Sequence, residues 1–580
     1  MRRAIAKLAM CSFFLGFAPG GSIPFAAAQQ PDLVLYGGKM ITVDGDFTIH
    51  RAMAIQDGRI TRVGDEDDVL QMAGPDTRRI DLQGKTVLPG LIDSHVHPGG
   101  ASMHEFDHPI PEMEAIADVL AYIRQRALAL EAGQWIVVRQ VFITRLREQR
   151  YPTKAELDAA APHHPVVFST GPDASVNSLA LRLSGIDRDF QVTGAGKVEK
   201  DPTTGEPTGI LRSAGRYLKT ESPSSKATEA DRDQRLHELL ADYASVGLTG
   251  VIDRNAGSSA IAAYQRLRAE GKLPVRVRCS HSLNTGDRTE AIQEDIRRIA
   301  AHPLCQEDPM LRIIGVKAFL DGGMLTGSAY MRQPWGVSEI YSIDDPRYRG
   351  LLYIPHEKLL PIVRTTAESG LQFTAHSVGD GAVHALLDVY QELSESTDIR
   401  HTRPCLTHSN FMSREAVEQA ARLGVVIDIQ PAWLYLDSRT LVAQFGYDRL
   451  RYFQPLASIF AAGGTVGGGS DHMQKIGSLR SVNPYNPFLG MWITVTRRAR
   501  WYDGQLHPEE ALSREQAIRF YTINNARLMF MEDEIGSLEP GKRADFVILD
   551  RDLLECPVDE IRETKVLATY VDGRAVYERP

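Results

Sequence analysis

The chain has 580 residues, 43% of them hydrophobic, and a formal net charge of -9 from 65 Lys and Arg against 74 Asp and Glu. A chain this long and this apolar buries a large core and divides into more than one domain. The charge balance, with no basic stripe, excludes a nucleic-acid binder and gives no support to polyanionic substrates.

The chain opens with Arg2, Arg3 and Lys7, continues in an apolar run through Phe17, and reaches Phe25-Ala26-Ala27-Ala28-Gln29. That order of basic, apolar and small residues predicts a signal peptide over 1–28 and export to the periplasm or the exterior. The apolar run is short for a membrane span and is interrupted by Pro19, Gly20 and Gly21, so no span is expected after the leader is removed. Arg2-Arg3 meets a twin-arginine signal only in part. Cleavage removes Cys11 and leaves Cys279, Cys305, Cys405 and Cys556, too few and too scattered for a disulfide scaffold.

From Asp32 to about Val87 the pattern is short strands and turns, as in Leu33 to Gly38 and Met53 to Ile55 before Asp57-Gly58. The texture returns in Ala544 to Asp550 and in Val566 to Val576, where Asp572-Gly573 marks a hairpin. Few-stranded pieces are marginal alone, so one small β-sandwich domain built from 31–89 and 530–580 is expected. Between them, strand-like runs alternate with helical patterns. The strands are expected at Thr86 to Ser94, Leu248 to Asp253, Pro274 to Cys279, Leu311 to Leu320, Leu371 to Ala375, Pro404 to Thr407, Gly424 to Ile429 and Thr465 to Gly468. Helical patterns include Asp231 to Ser245, Ala382 to Leu393 and Arg414 to Leu423. Eight such units predict an α/β fold, a (β/α)8 TIM barrel over 90–102 and 231–529. The stretch 103–230 is far longer than a normal connection and carries its own strands, so it reads as an insertion at the barrel mouth.

The chemistry begins at Gly90-Leu91-Ile92-Asp93-Ser94-His95-Val96-His97. Alternate strand side chains share a face, so His95 and His97 point together at the end of an apolar strand. An isolated His-x-His is more often a hydrogen-bonded pair than a metal site. Four more polar residues change that balance: Lys317, His376, His408 and Asp471 all fall at or just beyond the ends of predicted barrel strands, the face where barrel enzymes carry their sites. A bare ammonium inside an apolar strand is costly, which gives Lys317 a special role.

Imidazoles and carboxylates suit zinc and related divalent ions, and an open coordination position brings the pKa of bound water towards about 7. Asp471 would take the proton of that water and deliver it to a leaving amine, with hydrolysis passing through a tetrahedral intermediate. Weaker candidates for substrate contact are His281 at a strand end, His472 beside Asp471, and Tyr330 and Trp335 in the loop Met324 to Trp335. That loop and the run Trp433 to Tyr435 are candidates to line an apolar pocket.

Taken in order, these residues resemble the amidohydrolase superfamily, and within it the YtcJ-like branch that includes N-substituted formamide deformylases. The resemblance runs over nearly the whole mature chain. It includes Leu88 to His97, Gly205 to Leu211, Val316-Lys317 with Asp321-Gly322, His376 with Gly379-Asp380, and Gly541 to Phe546. It implies that His95, His97 and Asp471 hold one metal and that His376 and His408 hold a second. A carbamylated Lys317 would bridge them, so one or two ions are expected, and Lys317 and His408 join Asp471 in the catalytic set. Members usually carry a His ahead of the Asn-Ser pair, where this chain has Gly171 to Ser178 without one, and a Glu where it has Thr407.

The expected activity is hydrolysis of a carbon-nitrogen bond in a small non-peptide amide. Its rivals are a cyclic amide hydrolase, deaminase or ester or lactone hydrolase on the same centre, and a non-catalytic metal-binding or regulatory protein.

Overall fold

Eight parallel strands make the central sheet: β1 (Leu91–Val96), β2 (Leu248–Ala256), β3 (Arg276–Ser282), β4 (Leu311–Phe319), β5 (Gln372–Ser377), β6 (Cys405–His408), β7 (Val426–Ile429) and β8 (Thr465–Gly468). They pair in sequence order, as the barrel pattern predicts. The computed structural model describes residues 30–139, 141–171, 173–193, 196–220 and 226–580, so the expected signal peptide over 1–28 lies outside the described residues. The seam between β8 and β1 is drawn together just past β8. Asp471 N donates to His95 O at 2.8 Å and His97 N donates to His472 O at 2.8 Å. The segments carrying His95, His97 and Asp471 are therefore the two sides of the barrel seam.

All six residues of β1 are buried, as expected of a strand covered on both faces. The helices between strands start where the sequence offers caps. Thr228 and Asp231 form a reciprocal capping box at Glu229–Ser245. Ser413 caps Arg414–Leu423, which ends on Gly424 at φ +71°.

The expected strand from Thr86 to Ser94 is two strands in two different sheets. Thr86–Pro89 pairs antiparallel with Phe546–Leu549, and β1 starts at Leu91. Gly90 makes the crossing, donating its N–H to Asp545 O at 2.9 Å, and it lies so close to β2 that an added Cβ would meet Thr249 Oγ1 at 2.1 Å. Periodicity does not register that break, because both strands are apolar throughout.

Both chain ends contribute to the six-stranded sheet that contains Thr86–Pro89, Phe546–Leu549 and Val566–Val571. A four-stranded sheet of N-terminal segments, including Leu33–Tyr36 and Ala52–Gln56, shares an apolar cluster with it through Leu35, Met53, Val87, Phe546 and Tyr570. Between β1 and β2 the chain forms a separate five-stranded sheet from Ile136–Arg139 to Pro207–Arg212. Arg145 ties this part to the barrel through a buried ion pair with Asp437 at 2.8 Å and a bond to Asn483 Oδ1 at 2.8 Å. Cys279, Cys305, Cys405 and Cys556 are all unbonded thiols. No helix among the described residues is long and apolar enough to cross a membrane.

Candidate metal centre

Period-two geometry at the end of β1 brings the His95 and His97 rings into edge contact, with Nε2 to Nε2 at 3.2 Å. Asp471 Oδ1 faces both, at 3.4 Å from His95 Nε2 and 3.0 Å from His97 Nε2. One donor atom from each of the three lies within 4.8 Å of the others. Asp93 clamps the arrangement: its buried Oδ1 accepts from His95 N at 2.9 Å and Ser470 N at 3.0 Å, joining the segments that carry His95 and Asp471.

His408 at the end of β6 stacks on His95 with centroids 4.8 Å apart, and His376 at the end of β5 meets His408 edge-on at 4.5 Å. His376 and His408 do not form a three-donor group of their own among the described residues. Lys317, fully buried on β4, acts electrostatically on His95, His376 and His408 and is itself attracted by Asp471. All six predicted residues thus share one end of the barrel.

The tautomers are set from behind. Gln430 Nε2 donates to Asp428 Oδ1 at 2.8 Å, which turns the amide oxygen towards His408 Nδ1 at 2.7 Å. His408 Nδ1 must therefore carry the proton, leaving Nε2 with a lone pair. His95 Nδ1 likewise donates to Asp428 Oδ1 at 3.0 Å and leaves its Nε2 free. Asp428 is itself answered by Arg254 at 3.1 Å and Thr407 Oγ1 at 3.1 Å. These carboxylate and amide partners orient rings in the way metal-binding histidines are commonly oriented.

Burial keeps the imidazoles neutral. Desolvation, followed by the Lys317 charge, pushes His95 well below the ordinary range, and the same two causes bring His376 to about 3. Desolvation and then the His376 and His95 charges push His408 far down. Desolvation also lowers Lys317 to about 8, against the pull of Asp428 and Asp471. The Nε2 lone pairs of His95 and His408 and the facing Asp471 carboxylate fit a divalent cation. The backbone is strained at the same place, with His408, Ser409 and Asp471 at φ of +73°, +42° and +55°. Non-glycine residues in that region cost about 1–3 kcal/mol each and persist where the surroundings hold them.

Among the weaker candidates, two are corrected. His472 is fully buried and saturated: its Nδ1 meets Tyr243 Oη at 2.7 Å and its Nε2 meets Gln474 O at 2.6 Å. It braces the loop after Asp471 and has no nitrogen left for substrate. Trp335 is buried, donates Nε1 to Ala329 O at 2.8 Å, and packs against Tyr341 and Phe445, so it is core. Tyr330 is half-buried over Gly381, and His281 bonds its own neighbour through Ser282 O at 2.9 Å.

The buried pair Asp428 and Gln430 was not among the predicted residues, although the alternation that singles out His95 and His97 applies to it at the end of β7. Trp433 stacks on His408 at 4.8 Å and 16°, inside the run expected to line a pocket. Ser409 Oγ, both amide atoms of Asn410 and Trp433 Nε1 are buried without hydrogen-bond partners among the described residues. Orphaned polar atoms of this kind, beside His408, are what a site shaped for a ligand leaves behind.

Comparison with known proteins follows the geometry. Residues 78–577 match the model of the family described as "Amidohydrolase family". The chain is 30% identical over 566 residues to the N-substituted formamide deformylase of Arthrobacter pascens, covering 95% of this chain and 99% of that one. It is 26% identical over 560 residues to the YtcJ protein of Bacillus subtilis, covering 94% and 99%. Its fold is similar to that of an uncharacterised metal-dependent hydrolase from Pyrococcus furiosus, with a TM-score of 0.64 at 22% identity over 90% of this chain and 100% of the other.

Proposed function

The chain belongs to the amidohydrolase family, and from that premise we propose how its residues divide the work of a metal-dependent hydrolase acting on a carbon-nitrogen bond other than a peptide bond. The observation that carries the assignment is the convergence of His95, His97 and Asp471 at the barrel seam. His95, His97 and Asp471 would hold one ion, and His376 and His408 a second, with a carbamate on Lys317 between them. Burial of the Lys317 amine supports that modification, since a carbamate replaces a desolvated ammonium with an anionic oxygen ligand. The donor set of imidazole nitrogen and carboxylate oxygen favours zinc.

A divalent ion held there supplies Lewis acidity, polarising a substrate carbonyl and making water acidic enough to ionise near neutral pH. The chain's own residues do the rest. Asp471, fixed by its backbone bond to His95 and by Asn483 Nδ2 on its carbonyl at 2.7 Å, takes a proton from the attacking water. The water oxygen forms a bond to the carbonyl carbon, the carbon-nitrogen bond breaks, and Asp471 returns the proton to the leaving nitrogen. The products are a carboxylic acid and an amine. Asp428 and Gln430 hold His95 and His408 in the tautomer that leaves Nε2 unprotonated.

An N-substituted formamide is the first substrate to try, because the Arthrobacter pascens relative named for that activity aligns over 95% of this chain. The basic, apolar and small-residue order of 1–28 supports export to the periplasm or exterior. The test is metal analysis of the purified protein together with a panel of formamides, N-acyl amino acids, anilides and lactones. Bound divalent metal, amide turnover and its loss in His95→Ala with the fold intact are expected. Full activity in metal-free protein would overturn the assignment.

A further inference from the structure

A cavity of about 380 Å³ lies beside the loop that follows Asp471, and its lining is cationic. Arg139, Arg145, Lys475, Arg480, Arg500 and Arg562 line it, against Glu112 and Glu114. Three of those cations are already answered, Arg145 by Asp437, Arg480 by Glu105 and Arg500 by Glu114. Arg562 lies over the Trp492 ring at 4.6 Å.

Lys475 has no carboxylate in contact among the described residues, although Glu105 and Glu112 attract it from farther off and Arg480 repels it. The residue is buried, at 6% exposure, and among the described residues its ammonium donates one hydrogen bond, to Pro111 O at 3.1 Å. Its backbone is held at φ +60°, a strained setting for lysine. The carbonyls of Gln474 and Lys475 are in turn held by His472, so the loop presents this lysine rigidly. His104 lines the same cavity with both ring nitrogens buried and without a well-formed hydrogen bond among the described residues, although the Arg139 carbonyl acts on it as an acceptor. A buried ammonium with no carboxylate in contact and a buried imidazole with no well-formed hydrogen bond are each costly unless a ligand completes them. The lining also includes the apolar Val141, Phe142, Leu436 and Leu489.

The loop that lines this cavity begins at Asp471. Lys475 is four residues from Asp471, at most about 14 Å of extended chain. His104 also lines a larger cavity of about 1400 Å³ whose wall includes Gly99, Gly100 and Met473, each two or three residues from His97 or Asp471.

We propose that this cavity binds the carboxylate of a small amide substrate with an apolar body, Lys475 serving as counter-ion and His104 as hydrogen-bond donor. The substrate class is then an N-acyl amino acid or a similar amide carrying an acid group, and the proposal rests on the hydrolase reading above for the fate of the bound molecule. Binding itself is tested without turnover, by titrating phenylacetate and its neutral counterpart phenylacetamide into the metal-loaded protein. A charge-assisted pair predicts phenylacetate to bind about ten- to a hundredfold tighter. Lys475→Gln should abolish that preference and Lys475→Arg retain it, with circular dichroism confirming that both fold. Equal binding of the two probes to the unaltered protein overturns the proposal. So does a preference that survives Lys475→Gln, because the carboxylate is then held elsewhere. Turnover of N-formyl-phenylalanine against N-formyl-phenylalaninamide should show the same ratio. If neither is cleaved and no other amide is, the hydrolase reading fails while the titration still decides the site.

Discussion

Asp428→Asn changes one atom and one charge behind His95, and the structure sets the size of two separate effects. Asp428 is fully buried and meets His95 Nδ1, Thr407 Oγ1, Gln430 Nε2 and Arg254. Arg254 is equally buried and has no other carboxylate within ion-pairing distance among the described residues. Removing the charge strands the guanidinium, which costs about 3–5 kcal/mol of stability. Removing the anionic partner of a ligand imidazole costs about ten- to a hundredfold in metal affinity. The two effects separate in the double variant Arg254→Met with Asp428→Asn, which no longer strands a charge. It should recover most of the stability and none of the affinity. Urea denaturation of the metal-free proteins reads the first quantity, and competition with a calibrated chelator reads the second. An Asp428→Asn protein that binds metal within about twofold of the unaltered one would refute the orienting role, as would recovery of affinity along with stability in the double variant.

Two further outcomes follow from the same geometry. His376 has its pKa lowered from 6.5 to about 3, so its contribution to stability as a neutral imidazole is complete above pH 6.5 and is lost as pH falls from there towards 3. At about pH 5 the loss is about 2 kcal/mol. Metal-free protein should therefore lose that much more stability between about pH 7.5 and 5 than His376→Asn does, and equal losses by urea denaturation would contradict the buried neutral state. Gly90→Ala places a methyl group against Thr249 and should destabilise by about 1–3 kcal/mol, with Thr249→Gly restoring part of it. An unchanged thermal midpoint in Gly90→Ala would show that the crossing between the two sheets has room to spare.

The barrel was legible because each strand is an apolar run of the right length between helical patterns. The six polar residues were legible because each sits where such a run stops. What periodicity supplies is the face on which a side chain lies. It does not supply the partner, and most of the remaining site depends on partners distant in the chain. Asp428 lies on the same face logic as His95 and His97, yet its meaning comes from His95 and Arg254, brought to it from β1 and β2. The break at Gly90 depends on Thr249, on the neighbouring barrel strand.

The two histidines that exchanged roles make the point most sharply. His472 stands next to Asp471 and reads as available for substrate, but Tyr243 and two carbonyls consume both of its nitrogens. His104 has no motif around it, yet neither of its nitrogens has a well-formed hydrogen bond among the described residues. Whether a donor or acceptor is free is fixed by what the fold packs against it. Free groups of the kind substrate recognition uses are accordingly what only the assembled fold discloses, while the proposed metal ligands, grouped by their own strand ends, announce themselves beforehand.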